Sequence, residues 1–160
     1  ALVSDAEALS RQCGAALPGA GVPAAHVLTV NVLFEFDRAG RGDIRAYSLQ
    51  SLDRELARLR EEGLALASVE LVGHADRLQG RGHDYNQGLS ERRAKTVRGL
   101  LLERGTAADT LAYTFKGDTE QVQQCDNVKP QAALRECLIP NRRVEVRLHA
   151  TPVGANAPGT

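Results

Sequence analysis

The chain has 160 residues, 42% hydrophobic and 25% charged, which suits one globular domain with a single core. Its 20 Lys and Arg balance 20 Asp and Glu, no basic block stands out, and Trp is absent beside only three Phe and three Tyr. Neither the electrostatic footprint nor the stacking platform of a nucleic-acid binder is present, so no such partner is expected.

No apolar run reaches the ~20 residues of a membrane-spanning helix, and no charged, then apolar leader opens the sequence. The chain reads as a mature or excised piece, with any membrane anchor outside it. Residues 1–25 divide in two. Ser4 to Cys13 suits a short helix, with Leu2, Ala6 and Leu9 nearly in phase, and Gly14 to Ala25 is a Gly/Pro/Ala linker. The segment is either a tether or a disordered end.

From His26 to Asp37 the sequence alternates, with Leu28, Val30, Val32, Phe34 and Phe36 on one face and Thr29, Asn31 and Glu35 on the other, and predicts a strand. A turn-rich stretch, Arg38 to Asp43, leads to a helix over about Ala46 to Glu62. There Leu49, Leu52, Leu56 and Leu59 keep the helical period until Gly63 stops it. A strand then runs to Gly73. After a glycine-rich loop a helix spans Ser90 to about Arg104, a strand covers Leu111 to Phe115, and a last strand covers Arg143 to His149. The order β, α, β, α, β, loop, β predicts an α/β (α+β) fold: a mixed sheet with helices packed on one face. Residues 26–150 form the domain and 151–160 are expected to be a disordered tail.

The stretch GHADRLQGRGHDYNQGLSERRA, Gly73 to Ala94, carries the chemistry. Asp76 falls at the carboxyl end of a strand. With Ser90 as N-cap, and Glu91 and Lys95 as a favourable i,i+4 pair, Arg93 falls in the first turn of the following helix, near unpaired backbone N–H groups. A carboxylate on one side of a cleft, with a guanidinium and a helix N-terminus on the other, matches a small zwitterion such as an amino-acid head group. The alternative is that Asp76 and Arg93 pair with each other or are solvated.

His74, Asp76 and Ser90 are residue types of a hydrolase triad, but Ser90 stands in GLSER with no glycine after it, and capping would occupy its hydroxyl. No enzyme is expected. His26, His74, His83 and His149 show no metal-ligand spacing, so neither a metal nor a cofactor is expected. His74 is expected to orient or pack the loop at the strand end, and His83 and Asp84 to be solvated.

The motif resembles the signature of the OmpA-like peptidoglycan-binding domain, shared by OmpA-type outer-membrane proteins and Pal-type lipoproteins. The similarity runs from about Val27 to Leu148. It continues through CDNVKPQAALRECLIPNRRVEV, Cys125 to Val146, which resembles the C-terminal part of the OmpA-type branch with its paired cysteines. The resemblance implies non-covalent binding of the peptidoglycan stem peptide through meso-diaminopimelate. Asp76 matches the position that takes the ammonium, and Arg93 the one that takes the carboxylate. Phe36 and Asp37 match the first strand's end lining the cleft, Asn86 and Leu89 match loop positions beside it, and Arg142 matches a supporting arginine of the NRR motif. For Phe36 and Leu89 core packing is the alternative. Ala75 departs from the pattern where threonine is common, as does Phe115-Lys116-Gly117 where many members have two glycines.

The resemblance also bears on the cysteines. Eleven residues separate Cys125 from Cys137, and no second CxxC or CxxH pair completes a zinc site. A disulfide is expected, with two reduced cysteines as the alternative, and it implies an oxidising compartment. Cys13 is left as a free thiol or as a cross-link between two copies in a homodimer. The expected function is a non-catalytic periplasmic domain at the outer membrane that ties a barrel or lipid anchor outside this chain to the wall. The alternative is a protein-interaction module of the same fold, associating with a porin or with itself.

Overall fold

The computed structural model describes residues 26–78 and 81–153; the expectations for residues 1–25, Cys13 included, lie outside them. Four strands form one mixed sheet in the order β1-β4-β2-β3, where β1 is His26–Leu33, β2 Leu64–Gly73, β3 Leu111–Phe115 and β4 Arg143–Pro152. β4 is antiparallel to both β1 and β2, while β3 runs parallel to β2. Register places apolar side chains in rungs, Leu28–Leu148–Val69–Leu111 and Val30–Val146–Leu71–Tyr113, so one face is continuous hydrocarbon. Against it pack α1, Ala46–Glu61, through Leu52, Leu56 and Leu59, and α2, His83–Glu103, through Val97 and Leu101. That is the mixed sheet with helices on one face predicted from the pattern. The opposite face carries the charged rung Thr29–Arg147–Glu70 beside Asn31–Glu145–Val72.

The boundaries differ from the sequence expectation in four places. The first strand ends at Leu33, and Phe34 continues only as an isolated bridge to Ile44. Phe34 stays in the core, but Phe36, expected on the same face, is half-buried beyond the strand and lies 4.1 Å beneath the Arg135 guanidinium. β4 runs on to Pro152, into the expected tail, because Thr151 and Pro152 still pair with Ala65 and Leu64. A short helix, α3, Gln131–Cys137, occupies the expected loop between the cysteines.

The fourth difference is the largest. α2 begins at His83 after Gly82, whose φ of 91° ends the preceding loop, and not at Ser90. Ser90 is therefore no N-cap. Its hydroxyl donates to Gln87 O at 2.8 Å and accepts from Gly117 N at 2.9 Å, which pins the turn after β3. Arg93 lies in the third turn, away from the helix's unpaired N–H groups. His83 is helical rather than in a loop, though it and Asp84 are exposed as expected.

α2 approaches β2 closely at Gly73, where a Cβ would overlap the Ser90 carbonyl oxygen. Backbone cannot give way as a flexible side chain can. Gly73→Ala should therefore destabilise the domain by about 2 to 3 kcal/mol, the cost of overpacking a tight contact; denaturant unfolding that leaves the midpoint unchanged would contradict this packing.

Cys125 and Cys137 are joined, and α3 lies inside the loop they close. Reduction should cost about 2 to 3 kcal/mol in the chain-entropy account, seen as a lower melting temperature with reductant than without. An unchanged melting temperature would mean that the bond constrains nothing.

Candidate functional site

The site forms at the carboxyl ends of β1 and β2, where α2 and the start of β4 converge. Asp76, three residues past β2, is fully buried. One carboxylate oxygen accepts from Leu78 N at 3.0 Å, and the other from Arg142 Nη1 at 3.2 Å. Arg142, 1% exposed, also donates from Nε to Phe34 O at 2.9 Å and from Nη1 to Arg135 O at 2.7 Å. The partner expected to be only supporting is thus the one that pairs with the acid.

Arg93 has no exposure at all. Its Nε donates to Arg38 O at 2.8 Å, Nη1 to His74 O at 3.0 Å and Nη2 to Glu35 O at 3.2 Å, and its guanidinium lies 5.5 Å from the centre of the Phe34 ring. All three acceptors are backbone carbonyls. Burial pulls its pKa down to about 9, with the charge of Asp76 the largest opposing influence, so the group remains a cation at neutral pH. Neither sequence alternative, a direct Asp76–Arg93 pair or two solvated charges, describes this arrangement.

At the mouth, Asp37 holds φ at 58°, a left-handed conformation that few residues other than glycine, Asn and Asp take up. Its carboxylate accepts from the Tyr85 hydroxyl at 2.5 Å and lies 3.9 Å from Arg81, whose guanidinium stacks 4.6 Å from the Tyr85 ring centre. Asn86, 2% exposed, donates to Asp118 at 3.0 Å, and Leu89 is buried. The structure thus gathers Asp37, Asp76, Arg93 and Arg142 around one end of the sheet, with Asn86 on the adjoining turn of α2 and Phe36 beside α3.

Three contributors escaped the sequence reading. Tyr85 lies inside the motif, in the stretch whose pattern predicts a loop. Asp118, which takes the Asn86 bond, had no signal. Asn141 is fully buried, and its side chain accepts from Val122 N and Gln123 N at 2.7 and 3.0 Å and donates to Gln123 O at 2.9 Å, fixing the segment after β3. Ala75, where threonine is common, is fully buried, with its N–H on Gly117 O and its carbonyl accepting from Gln121. The departure at Phe115-Lys116-Gly117 closes the same turn, because Gly117 at φ 59° joins Ala75 to Ser90.

A mixed sheet backed by two helices, with a buried acid and two buried arginines at one end, is an OmpA-like architecture. A model described as the OmpA family matches residues 34–135, and the chain belongs to that family. It is 39% identical over 124 residues to Outer membrane protein A of Atlantibacter hermannii, an alignment covering 76% of this chain and 49% of that protein. The chain thus spans about half the length of that curated relative. Among solved structures, the cell wall anchor of the T6SS from Pseudomonas aeruginosa matches with a TM-score of 0.54 and 24% identity, over 91% of this chain and 96% of that one. The peptidoglycan-associated lipoprotein from Burkholderia pseudomallei matches with a TM-score of 0.50 and 21% identity, over 74% and 88%. At those identities the likeness establishes the fold. Among the described residues no helix is long and apolar enough to cross a membrane.

His74 adjoins this site without its ring touching it. The backbone carbonyl holds Arg93, while the buried imidazole turns to the other side of the sheet, with Nε2 3.1 Å from Glu145 Oε2 but no aligned hydrogen bond at either ring nitrogen. Burial first, and then the charge of Arg143, lowers its pKa from 6.5 to about 4, so it is neutral in the folded protein. The unfolded chain takes up this proton at the higher pH. Stability contributed by neutral His74 is therefore complete above pH 6.5 and declines as pH falls from 6.5 towards 4, by on the order of 2 kcal/mol. Glu145, held below its ordinary value because bonds from Arg143 and Arg147 outweigh burial, adds its loss only below about 4.5. Denaturant unfolding between pH 7 and 4.5 should show this slope in the native chain and a flatter one in His74→Gln; equal slopes would remove His74 as the cause.

Proposed function

We propose that this domain binds the stem peptide of peptidoglycan through the free end of meso-diaminopimelate, and so ties an outer-membrane partner to the wall from the periplasmic side. The observation that carries the reading is a buried charge imbalance at this end of the sheet. Two fully buried guanidinium groups, Arg93 and Arg142, face a single fully buried carboxylate, Asp76. A buried cation that bonds only to carbonyls is incompletely compensated, and a ligand carboxylate supplies the missing charge in the planar two-donor geometry that arginine favours. Asp76 inside and Asp37 at the mouth offer the complementary charge for an ammonium on the same carbon. The disulfide supports an oxidising compartment. The names of the Pseudomonas and Burkholderia proteins point the same way.

Truncating either clamp residue is a poor test of this reading. Arg93→Ala strips the donor from the Arg38 and His74 carbonyls and one of two donors from that of Glu35, and Asp76→Ala leaves Arg142 buried without its acid; each removes about 3 kcal/mol or more of stability before binding is considered. The ligand is the better variable. Calorimetry with a stem peptide containing diaminopimelate, against the same peptide with lysine, isolates one carboxylate while the protein stays intact. Lysine leaves the buried cation unmatched, which costs about 2 to 5 kcal/mol, from about thirtyfold to several thousandfold in affinity. Equal affinity for the two peptides would refute the clamp.

A further inference from the structure

Beside the buried clamp lies an open cleft of about 500 Å³, lined by Asp37, Arg38, Leu89, Arg92, Lys95 and Thr96 among others. It is separated from the clamp by a single stretch of backbone. Asp37 lines it and also acts on Arg93 through its charge, and the wall between the two is the Arg38–Ala39 backbone, held by Arg93 Nε at 2.8 Å and by the Thr96 hydroxyl at 2.6 Å. The acids of this cleft are already engaged: Asp37 by Tyr85, and Asp43 by Arg38 at 3.3 Å and by Gly40 N. Lys95 is 3.6 Å from Glu91. Arg92 is different. It is exposed, it has no hydrogen-bond or ion-pair partner among the described residues, and it acts electrostatically on the Tyr85 hydroxyl that Asp37 holds. The cleft therefore offers one uncommitted guanidinium next to the proposed clamp.

We infer that this cleft is a second anion subsite, in which Arg92, assisted by Lys95, takes a carboxylate of the stem peptide other than the one on diaminopimelate. The inference rests on the peptidoglycan reading above. In the stem peptide the glutamyl residue next to diaminopimelate is linked through its side-chain carboxyl, so its α-carboxylate stays free. One residue away from the clamped end, that carboxylate comes within reach of a cleft one wall away. Because Arg92 is solvated, the contact is a weak, salt-screened one that adjusts affinity rather than creating it.

The test compares two diaminopimelate peptides differing only in whether the glutamyl α-carboxylate is free or amidated, by calorimetry at low ionic strength. The native chain should prefer the free acid by about two- to fivefold. The preference should disappear in Arg92→Ala and reverse in Arg92→Glu, and neither exposed substitution disturbs folding. No preference in the native chain, or an undiminished preference in Arg92→Ala, overturns the subsite. A lysine peptide run alongside separates the two readings. If discrimination against lysine persists while amidation has no effect, the subsite alone fails; if lysine binds equally in the native chain, the clamp fails and the subsite with it.

Discussion

The end of the sheet is held together by one buried guanidinium. Beyond Leu33 the chain leaves β1 and beyond Gly73 it leaves β2, so the carbonyls of Glu35, Arg38 and His74 have no strand to pair with. Arg93 donates to all three from a single side chain on α2; the Glu35 carbonyl has a second donor in Arg38 N, and leaving the other two buried without one would be costly. Arg142 repeats the device from the start of β4, bonding Phe34 O and Arg135 O while it neutralises Asp76. Both arginines must come close to backbone to do this. The bare surface of Gly73 under Ser90 is what lets α2 sit near enough.

These ties explain which parts of the fold were legible in the sequence. α1 and the strands bury leucine and valine at regular spacing, so pattern alone located them. The first three turns of α2 bury Asn86, Ser90 and Arg93 instead, at the same helical spacing as Val97 and Leu101 below them. An apolar template reads those polar positions as loop, and so it started the helix seven residues late. Each is tolerated inside because a particular acceptor or donor awaits it: Asp118 for Asn86, Gly117 for Ser90 and three carbonyls for Arg93. None of these partners is adjacent in sequence, and no periodicity could have announced them.

The same limit applies to the site. Spacing suggested that Asp76 and Arg93 face each other across a cleft, and it could not show that the arginine bonded to the acid is Arg142, supplied from 66 residues further along the chain. It also separated the cysteine loop from the motif, although α3 sends Arg135 over Phe36 and lends its carbonyl to Arg142. The residue types of the site were readable. The division of labour among them was not, because it depends on which unpaired carbonyls the ends of the strands leave behind.

In the proposed ligand site that division makes binding and folding draw on the same side chains, and it gives the two halves of the site different physics. Under the cleft, Asp76, Arg93 and Arg142 are shut away from water, so a ligand lacking one charge is rejected by the energy of an unmatched buried ion, a penalty that dissolved salt screens little. A pure anion meets Asp76 and Asp37, and a pure cation meets two guanidinium groups; only a group carrying both charges on one carbon satisfies each side. At Arg92 the contact lies in solvent, where ions compete directly and a single pair contributes little. Selectivity for the diaminopimelate end then persists across ionic strengths, while the response to the neighbouring carboxylate fades as salt rises, so salt dependence by itself distinguishes the enclosed part of the site from the open one.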